Sequence, residues 1–229
     1  MNNFITFKIS KQNEIFVFFE FLNQGAAENT TSLYDFIKLK DKNTSSKDEI
    51  IRFVDNVYEK ELINIESTTK EIQEKWENKQ DFFFKESAKI FKNKVIIKNE
   101  IVATPSIWPI YGRFFERRLI TFPYKNGADE AIFVITHEYL HFLFYNYINS
   151  QYEILYHQNL NQKIWDFSEV INVIIQNQPQ WVDIFSIKTS PYPKHQELYK
   201  RMLEEWNRNS DIDYLINKFI LLLKSFPCM

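Results

Sequence analysis

Apolar side chains recur at helical spacing along the first ninety residues. Ser10 precedes an amphipathic run to Gln24, with Gly25 placed to close it. A second short helix is expected over Ser32–Lys40. Ser46-Lys47-Asp48-Glu49 has the form of a capping box, ahead of a stripe made by Ile50, Ile51, Val54, Val57 and Tyr58. Thr68-Thr69-Lys70-Glu71 repeats the device and predicts a separate helix to Phe91. The pattern describes an all-helical N-terminal region, 1–92.

Near Asn93 the pattern changes. Lys94–Thr104 is rich in β-branched residues, and Tyr111–Phe122 has the isoleucine and aromatic content of a strand. Pro105, Pro109 and Pro123 restrict these strands to edges or ends. Two or three strands are expected here, paired antiparallel. Past Gly127 the chain turns helical again, over about Asp129–Asn149 and about Asn159–Gln176. A break at Ser190-Pro191-Tyr192-Pro193 precedes a helix to about Asn207, and Ser210 opens the last one. The expected fold class is α+β: predominantly helical, with a small, mostly antiparallel sheet. Residues 93–229 form a second region, either separate from 1–92 or continuous with it in one compact domain.

Composition narrows the function classes. The 229 residues are 45% hydrophobic and 25% charged, as in an ordinary globular protein. Lys and Arg number 28 against 30 Asp and Glu, and a net charge of −2 argues against a broadly electrostatic nucleic-acid binder. No segment reads as a targeting signal. The apolar run Ala131–Ile148 contains His137, Glu138 and His141, which are costly in lipid, so a buried helix is expected there and no membrane partner. A cytoplasmic location follows as the default, and no oligomeric state is indicated. The one cysteine, Cys228, permits neither an intramolecular disulfide nor a zinc ribbon. Any metal site must use histidine and carboxylate, and the chain has four histidines.

Two of them lie in His137-Glu138-Tyr139-Leu140-His141, an HExxH motif inside the most apolar helix. Positions i and i+4 share a helix face, so both imidazoles can reach one Zn²⁺ at about 2.0–2.1 Å. Glu138 points beside such an ion, where it can take a proton from an activated water. Four His and twenty Glu placed at random would give this motif with a probability on the order of one in two hundred. Its flanks are uncharged and free of proline, which suits a helix packed in a dry shell. The plainer alternative is a pair of core histidines that merely hydrogen-bond at this spacing.

The motif resembles the active-site helix of the zincin metallopeptidases, over roughly residues 94–207. The metzincin extension is absent, because Phe144 and Tyr147 stand where Gly and His are required. The resemblance is therefore to the gluzincins, whose third ligand is a Glu on a later helix. Glu169, twenty-eight residues past His141, matches that position. Asp166 is a reserve ligand on the same face, while Glu153 and His157 on the connection are weaker candidates. Asn172 would orient a ligand from outside. Gluzincins also draw an oxyanion donor from the region after the third ligand, where either His195 or Tyr192 fits. Zincins place a substrate-binding edge strand before the HExxH helix. Arg113, Arg117 and Arg118 would then lie near the cleft and favour acidic substrates, or simply guard an edge. The resemblance implies a zinc-dependent peptidase acting on a peptide or protein, with one Zn²⁺ on His137, His141 and Glu169 and with Glu138 as general base. The alternative is a catalytically inactive zinc-binding or helical interaction protein on a similar scaffold.

Overall fold

With only three glycines and seven prolines to interrupt it, most of the chain is free to be helical. A computed structural model describes residues 5–23, 33, 35–37, 46–95, 97, 99–152 and 161–225. In chain order the elements are β1 (Ile5–Phe7), α1 (Lys11–Asn23), α2 (Lys47–Ile90), β2 (Ile101–Ser106), β3 (Arg113–Phe114), β4 (Leu119–Pro123), α3 (Ala128–Gln151), α4 (Asn161–Gln176), α5 (Pro179–Phe185), α6 (Gln196–Arg208) and α7 (Ile212–Ser225). Two compact units are formed. One comprises Met1–Asn78 and Lys98–Glu138, the other Lys79–Ile97 and Tyr139–Met229. A boundary falls inside α3, which is itself one unbroken helix.

The sheet has the order β1-β2-β4-β3 and is mixed. β1 runs parallel to β2, and β2 runs parallel to β4; only β3 and β4 are antiparallel. The expected antiparallel sheet is therefore overturned. Parallel neighbours need a crossover. Residues 8–100 supply the first one and residues 107–118 the second. β1 also corrects the all-helical reading of the first ninety residues. The expected strand Tyr111–Phe122 is split by a 3₁₀ turn at Phe115–Arg117, closed by Arg118 in the left-handed region at φ 50°. Pro105 pairs with Phe122 on β4 but lies past Ala103, the last residue paired with β1, so its missing N–H costs no bond on that side.

α2 starts at the expected capping box. Ser46 N donates to Glu49 Oε2 at 3.0 Å, and Glu49 N donates to Ser46 Oγ at 3.3 Å. It then continues through Thr68, where a new helix was expected, because no glycine or proline stops it. Ser67 Oγ donates back to the Asn64 carbonyl at 3.1 Å, so that region is spent within the helix. α7 starts one residue later than expected: Asp211, not Ser210, caps it, accepting the Tyr214 N–H at 3.0 Å. The core of the first unit gathers Val17, Phe18 and Phe21 of α1, Ile50, Val54 and Tyr58 of α2, and Trp108, Phe114 and Leu119. Gly112 fits closely beside this core, where a Cβ would stand 3.3 Å from the Phe21 ring and press it to shift by a few tenths of an ångström. Among the described residues, no helix is long and apolar enough to cross a membrane. Gly25, Glu153, His157 and Cys228 lie outside the described residues.

Candidate metal centre

α3 carries the HExxH motif. It opens with Asp129 and Glu130 in its first turn, where the exposed N–H groups favour negative charge. From Ala131 to Phe144 the helix is buried or half-buried at every position. A helix apolar on all sides holds its few polar side chains away from water. His141 is fully buried and Glu138 is 7% exposed, while His137 is half-buried. His137 and His141 are one turn apart on this helix, so their relation is set by the helix itself.

Glu169 comes from α4, whose last eight residues are all buried. Packing brings the two helices together: the Phe144 ring of α3 meets Phe167 of α4 edge-on at 5.8 Å, and Phe167 stacks on Phe219 of α7 at 4.0 Å. Along α4 the polar row runs from exposed Gln162 and half-buried Asp166 into buried Glu169, Asn172 and Gln176. It is not a solvent stripe. A carboxyl group at 4% exposure needs a polar or charged partner to offset its burial.

That partner is at hand. His141 Nε2 lies 3.2 Å from Glu169 Oε1. Donor atoms of His137, His141 and Glu169 all lie within 4.8 Å of one another. Two ligand atoms each 2.0–2.1 Å from a tetrahedral ion stand about 3.3–3.4 Å apart. The His141–Glu169 spacing is close to such an edge and longer than the usual 2.7–2.9 Å of a charge-assisted hydrogen bond. Two imidazoles and one carboxylate also make up a catalytic zinc set, with a fourth position left open. The residues present fit Zn²⁺.

Glu138 is not part of the ligand group. Its Oε2 accepts from Arg113 Nη1 at 3.2 Å, and both side chains are nearly buried. Arg113 therefore faces the motif rather than standing as a free charge for acidic substrates. Arg117 lies over the Phe16 ring at 3.7 Å, and Arg118 closes the 3₁₀ turn. Nothing in the sequence pattern links position 113 to position 138; the only visible signal was a basic residue in a strand before the motif.

Asp166 has other partners. Its Oδ1 lies 2.8 Å from His195 Nε2 and accepts from Gln162 Nε2 at 3.0 Å. It stands one turn before Glu169 but outside the three-donor group. His195 is 3% exposed and packs edge-on against Trp165 at 5.3 Å. Tyr192 is 55% exposed and stacks on Trp165 at 6.4 Å. The segment bearing both is braced by Asn177, whose side chain donates to Thr189 O at 2.8 Å and accepts from Thr189 N at 3.0 Å. Gln196 Nε2 adds a bond to Pro191 O at 3.2 Å. No protein-family model matches this chain, and neither does any curated protein or solved structure.

Proposed function

We propose that this protein is a zinc-dependent metallohydrolase of the gluzincin type, acting as a peptidase on a peptide or protein in a cytoplasmic setting. The observation that carries the reading is the convergence of His137, His141 and Glu169 within 4.8 Å, beside a Glu138 that is not one of them. Zinc held there would supply Lewis acidity, polarising a carbonyl and lowering the pKa of water to about 7.

The remaining roles belong to the chain. The Glu138 carboxylate takes a proton from the attacking water and hands it to the departing amine, so one group serves as base and then as acid. Negative charge grows on the carbonyl oxygen as water adds, and a donor from His195 or Tyr192 offsets it. With His195 Nε2 on the Asp166 carboxylate, Nδ1 is the atom left for that role and would donate only with a proton on both ring nitrogens; it is buried and bonded to none of the described residues. Tyr192 would use its phenol.

A second reading has one observation in its favour. The buried His141 Nε2 and Glu169 Oε1 lie 3.2 Å apart, a contact that the two side chains make without an ion and that suits an inactive scaffold or interaction protein. Zinc titration followed by elemental analysis separates the two. The peptidase reading expects one equivalent per chain, and Glu169→Ala weakening binding by more than the roughly 10–100-fold lost with an outer partner. Failure to take up zinc, or an unchanged affinity in Glu169→Ala, contradicts it.

A further inference from the structure

Arg113 reaches Glu138 from a strand that the local packing fixes in place. Gly112 N donates to Thr121 Oγ1 at 2.9 Å, and Thr121 N donates to Gly112 O at 2.9 Å. Next in register, Arg113 pairs with Ile120 and Phe114 pairs with Leu119. Phe114 is buried against Phe16 and Phe21 at ring distances of 5.2 and 5.6 Å. Gly112 lets Phe21 approach to where a Cβ would stand 3.3 Å from it. The Arg113 guanidinium lies 5.6 Å from the Phe115 ring centroid, which further limits its rotamers.

The two oxygens of Glu138 are thereby made unequal. Oε2 accepts from Arg113, while Oε1 accepts no hydrogen bond from the described residues. A flexible Glu on a helix has three side-chain torsions, and a misplaced base loses rate steeply. We propose that Arg113 is the positioning residue of the general base: it holds Oε2 and leaves Oε1 as the oxygen that receives the proton. In that step a water O–H bond breaks, an Oε1–H bond forms, and the hydroxide left behind adds to the carbonyl carbon. The guanidinium stays charged throughout and also compensates the buried carboxylate before the proton arrives. Arg113 touches neither substrate nor metal in this role.

The inference rests on the peptidase reading above, so its test carries a readout that needs no turnover. In the zinc-loaded full chain, Arg113→Met is expected to lower kcat about 10–100-fold with KM and zinc content unchanged, and Arg113→Lys to keep more activity than Arg113→Met. In metal-free protein, thermal melts are compared for Arg113→Met, Glu138→Gln and the double variant. Arg113→Met strands a carboxylate, so the double variant should melt higher than Arg113→Met alone. An unchanged kcat in Arg113→Met, a loss carried in KM, or melting losses that simply add would each overturn the assignment. A zinc-loaded wild type that cleaves no peptide overturns the peptidase reading itself. Turnover in the wild type with an unaffected Arg113→Met overturns this inference alone.

Discussion

Glu14, Glu138 and Glu169 are all removed from water, and their partners decide what each can do. Glu138 faces a guanidinium, and Glu169 lies beside the His141 imidazole. Among the described residues, the hydrogen-bond partners of the Glu14 carboxyl are neutral: Ile107 N donates to it at 3.1 Å, and Ser106 Oγ lies 3.5 Å away. Burial pushes the Glu14 carboxyl up to about 8, and those hydrogen bonds offset the shift only in part. The folded chain therefore keeps a proton on Glu14 up to about pH 8, whereas the unfolded chain releases it near 4.5. The resulting stability is complete below that lower value and is lost as pH rises through the upper one. The effect is on the order of 5 kcal/mol at about 1.36 kcal/mol per pH unit. Melting temperature should fall between pH 5 and 9 in the wild type and fall less in Glu14→Gln. An equal slope in both would exclude Glu14 as the source. None of this was legible in the sequence, where Glu14 is one acidic residue in an amphipathic helix; its partners come from 92 to 94 positions away, with Trp108 Nε1 donating to the Glu14 carbonyl at 2.9 Å.

Among the elements, α3 and α7 are joined to the chain segment after α2 by one polar knot. Asp213 Oδ2 accepts from Lys92 at 2.6 Å, and its Oδ1 accepts from Tyr147 at 2.5 Å and Tyr152 at 2.7 Å. Burial disfavours the charge, but Lys92 and the two hydroxyls outweigh it and draw Asp213 down to about 2. Its contribution is present above the ordinary 3.8 and is lost as pH falls through 2. Asp213→Asn should cost about 2 kcal/mol at neutral pH, read from chemical denaturation, with the difference from wild type closing in acid. A constant difference down to pH 2 would count against the knot. Helical elements were legible because their signals are local: the Ser46 box, the apolar α3 and the Pro191-Tyr192-Pro193 break all lie in short windows. The sheet was not. Its pairs join Ile5 to Ile101 and Val102 to Leu119, and no local pattern distinguishes parallel from antiparallel pairing across such separations. The Thr68 box misled because a capping sequence starts a helix only where the preceding one stops.

For the whole molecule, the proposed zinc site makes a prediction about stability. A ligand that binds only the folded chain stabilises it by about 2.7 kcal/mol at a hundred times its Kd. Zinc should therefore raise the melting temperature, and a chelator should lower it again, with neither effect in His141→Ala. The motif spacing pointed to His137 and His141, because i,i+4 geometry is a short-range fact; Glu169 came from the resemblance to the gluzincins, with Asp166 beside it in reserve. The Arg113–Glu138 and His195–Asp166 pairs depend on packing and were not visible. The most direct measurement of the central claim is peptide-library cleavage by zinc-loaded wild type and Glu138→Gln, with bound zinc determined in both. The expected result is one zinc in each protein, chelator-sensitive cleavage by the wild type, and a loss of at least about 100-fold in the variant. Equal cleavage by both proteins, or none by zinc-loaded wild type, would contradict the account.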